Sequence, residues 1–376
     1  MSKKISFILA CIVSMAFSPE EAKSWDPPLE IDVVAIQFNF EAGNTDDALY
    51  IIKNSSENID CPEWYPSLSR NNPFAYIKSQ TNRHFYVTFE HNQGQGEICS
   101  MRVYTTGSGY YPGLVANSAY VSFPSCGDNT SVELTMTGSV SNSVQSWGFH
   151  LNWYVTMING LTQSPYYSMG TTGEHDYYIL LATPQSPMGE PWTDVLDYSC
   201  VWAANQSTAS NVAHVITEGI YYMGDTDGDI DYDWPLRRCI YSLGRDNRIF
   251  KLSDFLSDIN TLDTVTVNCS DVGNLFNIFS AAVGLSSYSK RIWKSTSPYI
   301  FLTELVDPIG SPEWATATWG YHQYGWYNSS VDDPCLRVDY DSPILPSNME
   351  QGMYAIYLIS PGYSYNGSDI GTASLQ

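Results

Sequence analysis

Positive charge is scarce in this chain: 17 Lys and Arg stand against 40 Asp and Glu over 376 residues, for a formal net charge of -23. A surface of that sign does not neutralise phosphates or release their counterions, so nucleic-acid binding is excluded. Charge of either sign is thin, at 15% of residues, which leaves Ser, Thr, Asn and Gln to supply most of the polar surface. No CxxC spacing and no close pair of histidines occurs, which excludes a zinc cluster. No internal repeat is visible, and no later segment has the ~18 unbroken apolar residues of a spanning helix, so no membrane span is expected. Aromatic residues, in contrast, make up 14% of the chain, too many for a disordered one. The length exceeds one ordinary domain and suits two.

Lys3 and Lys4 precede an apolar run from Ile5 to Phe17, broken only by Ser6 and Ser14. The run is too short to cross a bilayer and reads as a secretory signal peptide, residues 1–24, with release after Ala22-Lys23-Ser24. Cys11 sits inside the run with Leu9 where a lipoprotein signal has a small residue, which argues against lipidation. A secreted or extracytoplasmic protein is expected. Export favours disulfides among Cys61, Cys99, Cys126, Cys200, Cys239, Cys269 and Cys335, and the odd number leaves a thiol over. With Cys269 set aside, each half has an odd number, so full pairing needs a bridge between the halves.

Two rhythms divide the chain. Between residues 25 and 184, short alternating runs such as Val33–Phe38, His84–Phe89 and Trp153–Met157 are separated by turn-rich stretches such as Gly107–Gly109 and Gly127–Asn129. That pattern predicts an all-β antiparallel sandwich of immunoglobulin-like kind. Residues 185–191, between Pro184 and Pro191, read as a linker. From Trp192 the spacing becomes helical. One helix begins around Val195–Ala203 and a second runs from Ala209 to Ile220. A third places Val272, Leu275, Phe276, Phe279, Ala282 and Val283 on one face. The third opens after the N-cap residue Asn268 and closes at Gly284. Strand-like patterns return from about Ile300, so residues 192–376 read as one α+β domain.

Cys269 stands in the first turn of the clearest helix. Orphan N–H groups and the helix dipole there favour a thiolate, the nucleophilic form. Asp271 would oppose this if its carboxylate turned toward the sulfur. A nucleophilic thiol needs a base, and of the six histidines only His322 follows Cys269, on the aromatic run Trp319–Trp326. Past a turn at Asn328-Ser329-Ser330, a carboxylate at Asp332 or Asp333 could orient the imidazole. If Trp326 lies opposite Ser329, Asp333 shares the face of His322; a loop one residue longer or shorter selects Asp332 instead.

These residues carry a resemblance. Asn268-Cys269-Ser270-Asp271, leading into a helix that ends Ala282-Val283-Gly284-Leu285, resembles the nucleophile helix of the transglutaminase-like superfamily, within the papain-like fold. His322, and Asp333 followed by Pro334, are similar to its histidine strand and Asp-Pro strand. The resemblance covers roughly residues 192 to 345. It implies Cys269 as nucleophile, His322 as base and Asp333 as orienter, acting by acyl transfer on an amide of a protein or peptide substrate, with no cofactor required. The alternative is a non-catalytic protein that binds a cell-surface or matrix component and carries an inactive domain of this type. Retention of all three residue types favours the enzyme.

Three other features bear on function. Asp225, Asp227, Asp229, Asp231 and Asp233 alternate in a manner reminiscent of calcium loops, but Gly228 and Leu236 break the EF-hand pattern, and a solvated acidic loop is favoured over a calcium site. His175, just before the linker, reads as structural. The sequons at Asn54 and Asn366 carry no conclusion.

Overall fold

The structure is a computed structural model that describes residues 31–39, 47–81, 83–91, 100–109, 115–123, 129–137, 140–233, 236, 238–311 and 314–376. The signal-peptide segment, Cys99 and Cys126 lie outside the described residues. The molecule has a β-rich N-terminal region followed by an α+β region. In the first, Arg83–His91 alternates strictly between buried and half-buried positions, which turns Phe85, Val87 and Phe89 inward. The strand Gln145–Ile158 does the same with Phe149, Leu151, Trp153 and Val155. Among the described residues, eleven strands hydrogen-bond into one sheet. Phe38, just past the strand Ile31–Gln37, stacks on Phe74 at 3.8 Å and meets the edge of Phe149 at 6.4 Å. The two flanks of the sheet therefore fold over a common aromatic core. Gly107–Gly109 is not a turn: it ends the strand Ser100–Gly109 and pairs with Leu151, His150 and Phe149.

Among its described residues the second region carries five α-helices: α1 (Thr193–Trp202), α2 (Ala209–Asp225), α3 (Leu252–Thr261), α4 (Cys269–Ala282) and α5 (Gln351–Leu358). The last is a correction, because only strands are expected beyond Ile300. Every residue of α4 is buried. Full burial of side chains such as Val272, Leu275, Phe276 and Phe279 stabilises by about 1.5–3 kcal/mol each. The polar residues of α4 are satisfied. Asn274 donates to Ser242 Oγ and the Asn247 carbonyl, and Asn277 donates to Ser287 and accepts from the Ala373 N–H. Beside α4 lies a five-stranded sheet in the order Met349–Glu350, Ser330–Asp332, Tyr321–Tyr327, Tyr288–Trp293, Asn366–Gly371. Gly325 lets helix and sheet approach: a Cβ there would sit 2.2 Å from Phe276 Cδ1 and 2.6 Å from the Asp332 carbonyl.

The two regions share packing. Ile51, Ile52, Val144, Tyr178, Leu180 and Leu181 belong to the same buried cluster as α1, α2 and α4. The segment 185–191 is not free chain: Met188 is fully buried, and the Gln185 N–H donates to the Ala281 carbonyl at 2.9 Å. The N–H groups of Leu181 and Ala182 both donate to the Val283 carbonyl. Gly284, at φ 101°, follows α4 where a Cβ would fall 2.5 Å from the Ala182 carbonyl oxygen. Only glycine suits that combination.

Candidate active site

Cys269 opens α4, and Asn268 caps it: its side chain accepts from the N–H groups of Ser270 (2.9 Å) and Asp271 (3.1 Å). Asp271 completes a capping box by accepting from the Asn268 N–H at 3.2 Å. Its carboxylate also takes the N–H groups of Ile240, Tyr241 and Ser242 at 3.1, 3.1 and 2.6 Å. With four backbone amides around it, the acid that could have opposed a thiolate is occupied elsewhere. The Cys269 N–H takes no part in the cap.

His322 lies on the strand Tyr321–Tyr327 with no exposed surface. Its Nε2 donates to Asp333 Oδ2 at 2.9 Å. Nδ1 has no hydrogen-bond partner among the described residues, while the Cys269 thiol is near enough to help raise the pKa of the ring. Burial opposes the charged imidazolium, but the Asp333 carboxylate and then Cys269 outweigh it and hold the pKa up to about 9. Trp319 tilts against the imidazole with ring centroids 4.4 Å apart, and is itself stacked on Tyr232.

The hairpin turn is Asn328-Ser329, both at positive φ (46° and 65°), as a tight two-residue loop requires. Tyr327 pairs with Ser330 and Gly325 with Asp332, so the pairing of Trp326 with Ser329 does not form. The turn moves by one residue and the pairings by two, a shift that keeps every side chain on its own face. Asp333 thus still meets His322 as it leaves the ladder. Its N–H donates to the Pro346 carbonyl, and its Oδ1 accepts from the Cys335 N–H at 3.0 Å. Asp332 points elsewhere and accepts from Ser347 Oγ (3.2 Å) and the Asn348 N–H (3.0 Å).

Two contacts escaped the sequence reading. Tyr354 of α5 donates its hydroxyl to Asp333 Oδ2 at 2.6 Å. Beside Cys269, Asn247 donates to Tyr321 Oη (2.9 Å), Ser270 Oγ (3.2 Å) and Cys239 Sγ (3.2 Å), and the sulfur also accepts from Asn268 Nδ2 at 3.0 Å. Asn247 sits at φ 54° after Asp246 at φ 62°, a strained pair of residues that aims the amide. The adjacency of Asn268 to Cys269 hinted at the second contact; nothing in the sequence signalled the first.

The remaining candidates fall away from this centre. Asp225 ends α2 and pairs with Arg337 at 3.4 Å, Asp231 lies in the strand Ile230–Tyr232, and Asp233 binds Arg238 at 3.0 Å. With Asp227 and Asp229 in the turn between, the acids are dispersed over a helix end, a turn and a strand, and no three metal-type side chains converge among the described residues. The weak calcium site at Asp225, Asp227, Asp229 and Asp231 is therefore not formed. His175 is a core residue: it bonds Thr172 Oγ1 at 2.8 Å between the rings of Phe38, Trp64 and Phe149, and burial drives its pKa down to about 3. Cys61, Cys200, Cys239, Cys269 and Cys335 are free thiols, so no disulfide is formed among the described residues. No protein-family model matches the chain, and no curated protein matches it.

Proposed function

We propose that the protein is an exported cysteine enzyme that acts on amide bonds by acyl transfer, with a transglutaminase-like α+β domain behind an immunoglobulin-like β-sandwich. The observation that carries this reading is a fully buried imidazole held by a carboxylate, with the helix-opening thiol of Cys269 near its ring. Cys269 thiolate adds to the amide carbonyl carbon, and the Cys269 N–H and the start of α4 stabilise the oxyanion. His322, held protonated by Asp333, passes a proton to the departing amine as the C–N bond breaks, which leaves a thioester. Water or a second amine then adds to the thioester, gives its proton to His322 and expels the thiolate. The substrate is a protein or peptide, and no step calls for a cofactor. One observation favours the second reading, a binding protein with a silent site: Cys269 is only 4% exposed.

Alkylation of the native, non-reduced protein with mass-spectrometric mapping decides between them. Cys269 is expected to react at about pH 6, and about 10-fold or more slowly once His322 is replaced by Ala. Reaction of Cys269 only after denaturation would hand the lead to the binding protein.

A further inference from the structure

We propose that Tyr354 is a positioning residue for this site, sharing with His322 the single Asp333 oxygen on which the imidazole's orientation and charge depend. The proposal rests on the cysteine-enzyme reading above. Oδ2 of Asp333 accepts at 2.6 Å from the Tyr354 hydroxyl and at 2.9 Å from His322 Nε2, while Oδ1 accepts from the Cys335 N–H. Tyr354, His322 and Asp333 have no exposed surface, so water cannot replace a donor that is removed, and each hydrogen bond acts in a low dielectric. The titratable groups around Tyr354 are Asp333, Tyr324 and Cys335; those around His322 are Asp333, Cys269 and Tyr324, whose ring lies 6.3 Å from the imidazole. Burial first, and the Asp333 charge second, push the Tyr354 phenol well above its ordinary pKa. The phenol therefore stays protonated, and its one proton is committed to Asp333.

A carboxylate oxygen that serves two donors holds each less tightly than it would hold one. Tyr354 thus fixes the position of Oδ2 and moderates its grip on the imidazolium. Without the hydroxyl, the whole of Oδ2 turns to His322 and the proton on the ring is held harder. A residue that only filled the core would leave that proton untouched.

The test is a pH titration of the histidine ring nitrogens by NMR in the full-length protein, with His322 assigned by comparison with H322A. In Tyr354→Phe the His322 midpoint is expected to rise by about one pH unit, the scale of one hydrogen bond to a charged group. The rise should vanish when Tyr354→Phe is made in an Asp333→Asn background. An unchanged midpoint overturns the proposal, whatever happens to the melting temperature. Should Tyr354→Phe not fold, 3-fluorotyrosine at position 354 donates more strongly and is expected to lower the midpoint; no movement there is equally fatal. The readout needs no substrate. A shifted midpoint in a protein whose Cys269 is inert would keep Tyr354 in its role and retire the enzyme reading alone.

Discussion

Asp332 and Asp333 are neighbours in sequence, and neither has exposed surface, yet their surroundings differ. Asp333 faces an imidazolium and two further donors, the Tyr354 hydroxyl and the Cys335 N–H. Among the described residues no cation pairs with Asp332, and burial, against the hydrogen bonds from Asn348 and Ser347, drives its pKa up to about 7 from 3.8. The folded state therefore keeps a proton on Asp332 that the unfolded chain gives up, and stability falls as pH rises through that interval. His322 follows in a later window. Its stabilising effect is complete below its ordinary value of 6.5 and is lost as pH rises through about 9. Asp332→Asn is thus expected to flatten the loss of stability between about pH 4 and about pH 7, by an amount of a few kcal/mol, and to leave the higher-pH decline in place. Urea unfolding at a series of pH values measures both segments, and an unaltered lower one would disprove the assignment. From the sequence, register left Asp332 and Asp333 both open and only the resemblance singled out Asp333, because hairpin parity depends on a turn whose length the sequence does not fix. Tyr354 was not legible, because a phenol on a different helix reaches Asp333 only through tertiary packing.

Among the elements, α4 was the most readable and α5 the least. The apolar face of α4 repeats over four turns between an Asn cap and a closing glycine, signals that survive any context. The eight residues of α5 include Gly352 and the strand-prone Tyr354, Ile356 and Tyr357. It is a helix because Tyr354, Ala355 and Leu358 pack inward, a case of burial overriding propensity. In α3 the spacing of Leu252, Phe255, Leu256 and Ile259 is helical, but Ser253, Asp254, Ser257, Asp258 and Asn260 are residues that favour turns and caps. The contact of α4 with the histidine strand also rests on small residues, Gly273 of the helix and, more tightly, Gly325 of the strand. Gly325→Ala is expected to destabilise by about 1–3 kcal/mol, seen as a lowered melting temperature. In a background already truncated at Phe276 the same substitution should cost less but not nothing, because the clash with the Asp332 carbonyl remains. No cost in that background would show that the backbone contact does not matter.

At the scale of the whole molecule, the change of rhythm near Trp192 separates two compositions but not two independent bodies. The apolar residues at the junction, Leu180, Leu181, Met188 and Val144 among them, read in the sequence as core of whichever half they stand in. Nothing in a linear pattern says that they pack against α1 and α4 instead. Residues 192–376 produced alone are therefore expected to lack a cooperative thermal transition, while the full chain shows one. A sharp transition in the isolated segment would refute the shared core.

The same junction alters what the β-rich half is for. The last carbonyls of a helix need partners from outside it. At the end of α4 the Ala281 carbonyl accepts from Gly284 and Gln185, the Ser280 carbonyl from Leu285, and the Val283 carbonyl from Leu181 and Ala182. The end of the β-rich half therefore supplies part of the C-terminal cap of the helix that bears Cys269. Exchanging it for another domain would amount, chemically, to deleting part of a helix cap some twenty ångströms from the thiol, at the ~1.5 Å rise per residue of an α-helix.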